Sequence, residues 1–216
     1  MARLTDNLDE IAERIRATLS TRDAAREKLL PLCRDAIRHC SNSIRAIHRH
    51  EMDESMTQLK SARDLISEAE KIVDAEGSLS RMNIVRDAQK EFVEGSVVLA
   101  LVNGKQPPDF TELGVEPVAY LHGLGDAVGE LRRYLLDSMR KGDLSRGEEF
   151  LAAMDDIYNI LITMDYPDAL TGGLRRATDM VRGVLERTRS DLTLTIRQGE
   201  LENRLREYDI EKEEKE

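Results

Sequence analysis

The sequence has few of the residues from which β-sheets and disulfide-linked folds are built. It contains no tryptophan, 4% aromatic residues, five prolines and two cysteines among 216 residues, whereas 34% of its residues are charged. Strands draw on aromatic and β-branched residues, and a chain rich in charged, unbranched residues favours helix instead. We therefore predict an all-α fold, and the chain length favours a single domain.

The sequence also lacks long apolar segments. Its longest apolar run, Val97 to Val102, is far shorter than the roughly 20 residues that a membrane-spanning helix needs, and we see no charged-then-apolar leader. Cys33 and Cys40 lie too far apart on one predicted helix to form a disulfide with each other, and unpaired cysteines indicate a reducing compartment. We expect a cytoplasmic protein without a membrane partner, in which both cysteines fill the core.

The charge is negative overall but unevenly distributed. A formal net charge of -10 argues against a nucleic-acid ligand when taken alone. Residues 22–50, however, hold seven Lys or Arg against three Asp or Glu, whereas residues 200–216 hold eight acids against four bases. The two ends of the chain therefore differ in sign, and the amino-terminal part is the better candidate for binding an anion.

Apolar residues recur at helical spacing along most of the chain. They predict a bundle of about six to seven long helices, with the main ones near 4–50, 53–77, 78 or 80–102, 117–141, 144–164 and 168–206. Kinks are expected around residues 20–22 or at Pro31, and a break at Gly172 and Gly173. Residues 103–116 form the long loop. We assign residues 1–206 to the domain and expect the charged segment 207–216 to be a disordered tail.

Two pairs of acids lie within apolar helical patterns. Glu91 and Glu94 occur in KEFVEGSVVLALV, and Asp126 and Glu130 occur in YLHGLGDAVGELRR. Each pair shares one helix face, and antiparallel packing of the two helices would bring all four acids together. Like charges in a partly buried site need a cation among them, and carboxylate oxygens suit Mg²⁺, with Mn²⁺ as the alternative ion. The alternative reading is an exposed surface on which the acids pair with Lys90, Arg132 or Arg133.

Basic residues recur at three- and four-residue spacing near the end of the first predicted helix. Arg45, His48 and Arg49, called the basic stripe below, suit phosphate contacts that do not depend on base sequence. The alternative is a solvated face paired with Glu51 or Glu54. His122, four residues before Asp126, either orients a carboxylate, contacts substrate, or is an ordinary core or surface histidine.

Three segments together resemble the translin family. They are REKLLPLCRDAIRHCSNSIRAIHR, QKEFVEG and YLHGLGDAVGELRRYLLDSMRKGD, and a looser likeness extends over residues 20–200. Within that family the chain is more similar to the translin-associated factor X branch than to translin itself. The resemblance implies an all-α subunit of about seven helices that assembles, commonly as an octamer, into a closed barrel enclosing RNA.

The resemblance to the factor X branch also implies a magnesium-dependent endoribonuclease. Glu91, Glu94 and Asp126 match the catalytic acids of that branch, and the four-residue spacing adds Glu130 as a fourth metal ligand. Translin subunits lack this acidic set. We therefore predict cleavage of short single-stranded RNA inside an oligomeric shell. Two alternatives remain: a non-catalytic shell that binds RNA or single-stranded DNA, and an all-α, magnesium-dependent nucleotide pyrophosphohydrolase.

Overall fold

The computed structural model describes residues 5, 7–76 and 83–213, and these residues form helices joined by turns and loops. No strand occurs in these ranges, so the predicted all-α class is confirmed. The helices within them, in chain order, are α1 Leu8–His48, α2 Met52–Glu76, α3 Asn83–Val102, α4 Phe110–Leu113, α5 Pro117–Arg140, α6 Gly147–Thr163, α7 Asp168–Thr171 and α8 Leu174–Glu213.

The first helix, α1, is continuous over 41 residues. Neither residues 20–22 nor Pro31 interrupts it. Pro31 is exposed, so the carbonyl of Glu27, which has no intrahelical partner there, lies on the solvent side where water can bind it. The α1 helix then ends at His48, and His50 adopts a positive φ of 62° that turns the chain into α2.

The glycine pair between α7 and α8 breaks the helix as predicted. Gly172 and Gly173 have φ values of 59° and 88°, which residues with a side chain rarely adopt. The Asp168 carboxylate accepts a hydrogen bond from the Gly173 backbone N–H at 2.8 Å. This hydrogen bond fixes the turn that starts α8.

The segment 103–116 is folded around a short helix. Asp109 caps α4 by accepting hydrogen bonds from the backbone of Thr111 and Glu112, while the Glu112 side chain accepts one from the Asp109 N–H. The Tyr120 hydroxyl donates to the Pro108 carbonyl at 2.9 Å. Pro117 then occupies the first turn of α5, as predicted.

Two predicted helix boundaries fall in the gap between the described residues. The predicted end of the second helix at Gly77 and the predicted start of the third at Ser78 or Ser80 lie outside those residues, and α3 begins at Asn83 within them. At the carboxyl end, α8 is helical to Glu213, seven residues past the predicted domain boundary at 206. Three Glu and one Lys lie among these seven residues, and both residue types are good helix formers.

The helices pack in layers around one core. The short turn at residues 49–51 makes α1 and α2 an antiparallel hairpin, α3 packs against both, and α5 packs between α3 and α8 with α6 alongside. The side chains with almost no exposure include Leu29, Ile47, Ile66, Val93, Val97, Val98, Leu131, Leu135, Met154, Leu161 and Leu192. Cys33 and Cys40 are buried in this core, so their predicted place is confirmed.

The helices α3 and α5 run parallel rather than antiparallel, which corrects the sequence-based expectation. At their starts, the Glu116 backbone N–H lies 3.4 Å from the Gln89 side-chain oxygen. Beyond the end of α5, Arg146, which precedes α6, donates hydrogen bonds to the carbonyls of Leu101 and Val102 at the end of α3. The parallel arrangement requires a connection that returns along α3, and the 14 residues of the 103–116 segment reach about 45 Å when extended, more than the roughly 30 Å length of α3.

Candidate active site

A glycine brings α3 and α5 into close contact. A Cβ atom added to Gly123 would lie 2.7 Å from the Lys90 carbonyl oxygen and 2.6 Å from the Val93 Cβ, which is closer than such atoms can approach. The two backbones therefore touch here. Asp126 and Glu130 follow Gly123 by three and seven residues, so they lie on the same side of α5 and face the polar residues of α3.

The acid cluster, consisting of Glu91, Glu94, Asp126 and Glu130, forms at this contact. Lys90 lies within it: its Nζ is 2.8 Å from the Asp126 Oδ2 and 3.5 Å from the Glu91 Oε1. The Lys90, Glu91 and Asp126 side chains are 31%, 29% and 39% exposed. Burial alone would lower the pKa of Lys90, but Asp126 and then Glu91 raise it above its ordinary value. The ammonium therefore stays charged between the two carboxylates.

Glu94 is the most perturbed acid of the cluster. Burial raises its pKa from 4.5 to about 8, and the negative charges of Glu91, Asp126 and Glu130 add to the rise, while Lys90 opposes it. No ion pair to Glu94 occurs within the described ranges. The carboxyl group therefore holds a proton more tightly than an ordinary glutamate, as expected for a carboxylate whose charge is not locally neutralised.

Glu130 is held by a histidine from another helix. His48 Nε2 lies 2.6 Å from the Glu130 Oε2, and the His48 side chain is only 7% exposed. In the part of the chain that the structure describes, His48 Nδ1 is buried without a hydrogen-bond partner. An ionised carboxylate can only accept hydrogen bonds, which favours the tautomer in which Nε2–H donates to Glu130. Arg133 approaches the same carboxylate at 3.7 Å from the exposed side.

Cys40, on α1, lies beside the acid cluster, but its thiol is unreactive. Burial raises the pKa of its thiol to about 12, and Glu91 and Glu94 add to the rise. A thiol in this state is neither a nucleophile nor a ready metal ligand. The reactive groups of the site are therefore the carboxylates.

The residues present fit a magnesium ion in their chemistry, while their present arrangement fits an ammonium. Four carboxylates on two helices supply the hard oxygen ligands that Mg²⁺ and Mn²⁺ prefer. Across the described ranges, no three Asp, Glu, His or Cys side chains are arranged as a metal site. The position between Glu91 and Asp126 is taken by Lys90 Nζ. A divalent ion would need Lys90 to move away.

Solved structures similar to this one come from C3PO proteins. The structure of AfC3PO in complex with duplex RNA matches with a TM-score of 0.76 and 35% sequence identity, over 85% of this chain and 95% of that chain. The crystal structure of AfC3PO matches with a TM-score of 0.75 and 35% identity, over 85% and 96% of the two chains. This chain belongs to the translin/C3PO family.

Two further comparisons extend this result. An uncharacterised protein of Methanocaldococcus jannaschii is 31% identical over 194 residues, which are 89% of this chain and 86% of that protein. The crystal structure of apo-NeC3PO has a TM-score of 0.73 at 16% identity, over 90% of this translin/C3PO-family chain and all of that one, and it shows a shared fold. No protein-family model matches the sequence. The factor X branch within the translin/C3PO family stays a prediction.

The basic stripe of this family member is divided by the fold. Arg45 and Arg49 are exposed: the Arg45 guanidinium donates to the Asn42 side chain at 3.1 Å, and Arg49 pairs with Glu51 at 2.6 Å. His48 does not share this surface because it points to Glu130 and is almost fully buried. It lies at the edge of the buried face of α1, next to Ile47. Of the three, only the two arginines remain accessible to a phosphate.

His122 has an ordinary structural role. Its Nε2 lies 2.8 Å from the Thr171 carbonyl oxygen, which links α5 to the turn before α8. It does not contact Asp126, whose carboxylate pairs with Lys90. The prediction that His122 orients the Asp126 carboxylate is therefore wrong, and the partly buried side chain is instead satisfied by the Thr171 carbonyl.

The structure brings all four predicted acids together and adds two residues to them. Sequence reasoning offers Lys90 only as a surface partner of the acids, although its position directly before Glu91 is a signal for the contact. His48 was assigned to the basic stripe by its spacing from Arg45, and its contact with Glu130, 82 positions away, has no local signal. Of the other proposed surface partners, Arg133 approaches Glu130, whereas Arg132 pairs with Asp191 at 2.7 Å.

The described part of the chain contains no helix that is long and apolar enough to cross a membrane.

Proposed function

We propose that this protein is a metal-dependent endoribonuclease that acts on RNA enclosed by an oligomeric helical shell. The observation that carries the proposal is the acid cluster, in which burial and then the negative charges of Glu91, Asp126 and Glu130 raise the pKa of Glu94 to about 8. Perturbed carboxylates gathered on two helices are typical of sites that bind cations or exchange protons. That a member of the same family forms a complex with duplex RNA supports RNA as the ligand.

In this proposal Glu91, Glu94 and Asp126 hold Mg²⁺, or Mn²⁺ in its place, and Glu130 completes the ligand set. The ion would neutralise charge on the attacked phosphate and make a bound water more acidic. The His48 imidazole keeps Glu130 oriented through the 2.6 Å contact. If fewer than four of these carboxylates bind the ion, the remaining one is available as a general base toward water.

A second function is favoured by one observation. Because Lys90 already neutralises part of the acid cluster, the fold is complete without a metal ion, as a non-catalytic shell binding RNA or single-stranded DNA would require. Membership of the translin/C3PO family favours either RNA function over hydrolysis of free nucleotides. Cleavage of RNA would distinguish the endoribonuclease from the non-catalytic shell.

The decisive experiment is cleavage of end-labelled RNA by the full chain, with single-stranded and duplex substrates in parallel, with and without Mg²⁺. Wild type should cleave only with the metal. Glu94→Gln should bind RNA but cleave it orders of magnitude more slowly, because a neutral amide replaces an ion-binding carboxylate. Glu202→Gln is the matched control, since Glu202 is 68% exposed on α8. RNA binding without cleavage by wild type under all conditions would favour the non-catalytic shell.

Self-association is the second part of the proposal. The amino-terminal part of α1 exposes Leu8, Ile11, Ile15 and Leu19, which are 54%, 38%, 53% and 57% exposed and recur at helical spacing. An aliphatic stripe of this kind is typical of a surface that a neighbouring subunit covers. We propose a homo-oligomer, with the octamer as the arrangement that the resemblance implies.

The mass of the particle in solution tests this part. Wild type should be a multiple of the 24.5 kDa subunit. The double variant Ile15→Glu, Leu19→Glu should shift toward the subunit mass because charges on the stripe oppose its burial. Ala17→Glu, on the opposite side of α1, is the control and should keep the wild-type mass. A 24.5 kDa wild-type particle would remove the shell from the proposal.

A further inference from the structure

The acid cluster contains its own cation, and that cation is able to move. Lys90 Nζ has one close contact, 2.8 Å to Asp126, and one long contact, 3.5 Å to Glu91. Its side chain is 31% exposed, so a path to solvent exists along the flexible stem. An ammonium has three rotatable donors and no fixed geometry, unlike the planar guanidinium of arginine.

The single ammonium does not balance the charge around it. Lys90 Nζ contacts the carboxylates of Asp126 and Glu91, while Glu94 has no ion pair among the described residues. His48 contributes a hydrogen bond to Glu130, and Arg133 stands at 3.7 Å on the exposed side. A divalent cation carries twice the charge of an ammonium and binds several carboxylates at once. A divalent ion that displaced the ammonium would therefore balance more of the negative charge in the cluster.

We infer that Lys90 is an internal counter-ion that competes with the divalent metal for Glu91 and Asp126, and so sets the metal concentration at which the site fills. The inference rests on the proposed metal-dependent function. In the metal-free protein Lys90 stabilises the cluster. When the ion binds, the ammonium leaves toward solvent, and the free energy needed to separate it from Asp126 and Glu91 weakens the apparent affinity for the ion.

The inference predicts that removal of the ammonium tightens metal binding. Lys90→Met keeps most of the aliphatic stem but carries no charge, and its affinity for Mg²⁺ or Mn²⁺ should exceed that of wild type by about tenfold, the scale of one partly buried ion pair. Lys90→Arg should bind the ion several-fold more weakly than wild type, because a guanidinium can donate to both carboxylates at once.

The test is calorimetric titration of Mg²⁺ and Mn²⁺ into the full chain without RNA. Lys105→Met is the matched control: Lys105 is exposed in the loop after α3, so the variant removes the same charge away from the cluster and should match wild type. Thermal unfolding gives a second readout. The metal-free Lys90→Met protein should melt below wild type, and its melting temperature should rise more on addition of the ion.

The outcomes separate the inference from the proposed function. Equal metal affinities for wild type, Lys90→Met and Lys90→Arg would overturn the inference and leave the metal-dependent function standing. If neither ion bound to wild type or to either Lys90 variant, the proposed metal site itself would be wrong, and the inference with it. If Lys90→Met failed to fold, weaker binding by Lys90→Arg would still support the competition, and unchanged binding by Lys90→Arg would overturn it.

Discussion

The acid cluster and the exposed arginines of the basic stripe differ in what lies opposite them. The carboxylates face a second helix that touches their own through Gly123, and they share Lys90 as a cation. Arg45 and Arg49 face solvent near one helix end, where each has a nearby partner on its own chain segment. Negative charge is therefore concentrated where two helices touch, whereas the positive charge of the two arginines lies on the solvent-exposed surface of a single helix. In the proposed function, the acid cluster would bind the ion and the two arginines would contact phosphates.

The largest effect is expected from separating the two backbones. Gly123→Ala places a methyl group within 3 Å of the Lys90 carbonyl and the Val93 Cβ, so α3 and α5 must move apart. We expect a decrease of about 1–3 kcal/mol in the free energy of unfolding, measured by urea denaturation, because overpacking of a tight contact has this cost. Cleavage of RNA should fall with it, because the acids no longer meet.

The control for this variant lies six residues later on the same helix. A Cβ on Gly129 would have no neighbour within 4 Å, so Gly129→Ala should raise the free energy of unfolding by about 0.5–1 kcal/mol through helix propensity alone. If Gly123→Ala were as stable as Gly129→Ala, the close contact would not be what brings the acids together.

An intermediate effect is expected on the pH dependence of stability. The pKa of Glu94 is raised to about 8 in the folded protein from 4.5, so between these values the folded chain binds a proton that the unfolded chain releases. The stability contributed by Glu94 is therefore fully present below pH 4.5 and is lost as the pH rises through about 8. Without metal, wild type should lose stability over this window.

Comparison of variants isolates the effect of Glu94 from that of the other titrating groups. Urea denaturation at pH 5 and pH 9 should show a smaller decrease in stability for Glu94→Gln than for wild type, whereas Glu202→Gln should behave as wild type. The same pH dependence in wild type and Glu94→Gln would mean that the Glu94 carboxyl is not desolvated at the contact.

The smallest effect is expected at the arginines. The double variant Arg45→Glu, Arg49→Glu should weaken RNA binding. The slope of the logarithm of the binding constant against the logarithm of the salt concentration should become shallower by about 0.7 for each phosphate that is no longer neutralised. The control is Arg182→Glu, Arg197→Glu, which makes the same change in net charge at exposed positions of α8. Binding measured across a range of salt concentrations decides between them. If both double variants behaved alike, RNA would contact some other surface.

The long helices could be predicted from sequence because their apolar residues recur with the helical period and their ends carry clear signals. Pro117 marks the start of α5, and the pair Gly172 and Gly173 marks the break before α8. The pairing of Glu91 with Glu94 and of Asp126 with Glu130 also follows from spacing within one helix. These are local properties, and one stretch of sequence contains all the information that they need.

The parts that failed depend on contacts between distant residues. The direction of α5 relative to α3 depends on the path of the 103–116 segment, and spacing along either helix says nothing about that path. His48 has the same spacing from Arg45 whether it faces solvent or Glu130, and only the packing of α5 beside the end of α1 decides which. The close approach at Gly123 was not apparent either, because a helical glycine has no distinctive local pattern.

The continuity of α1 has a consequence for the distance between active sites. Residues 8–24 precede Ala25, the first buried residue of the helix, and this span rises about 25 Å along the axis. A further span of about 22 Å leads from Ala25 to Cys40, beside the acid cluster. In a shell whose subunits contact one another along the exposed aliphatic stripe, the continuous helix α1 would thus separate each subunit contact from the acid cluster of the same subunit. Under the proposed function, the length of this helix would contribute to the distance between the clusters of neighbouring subunits, independently of base sequence.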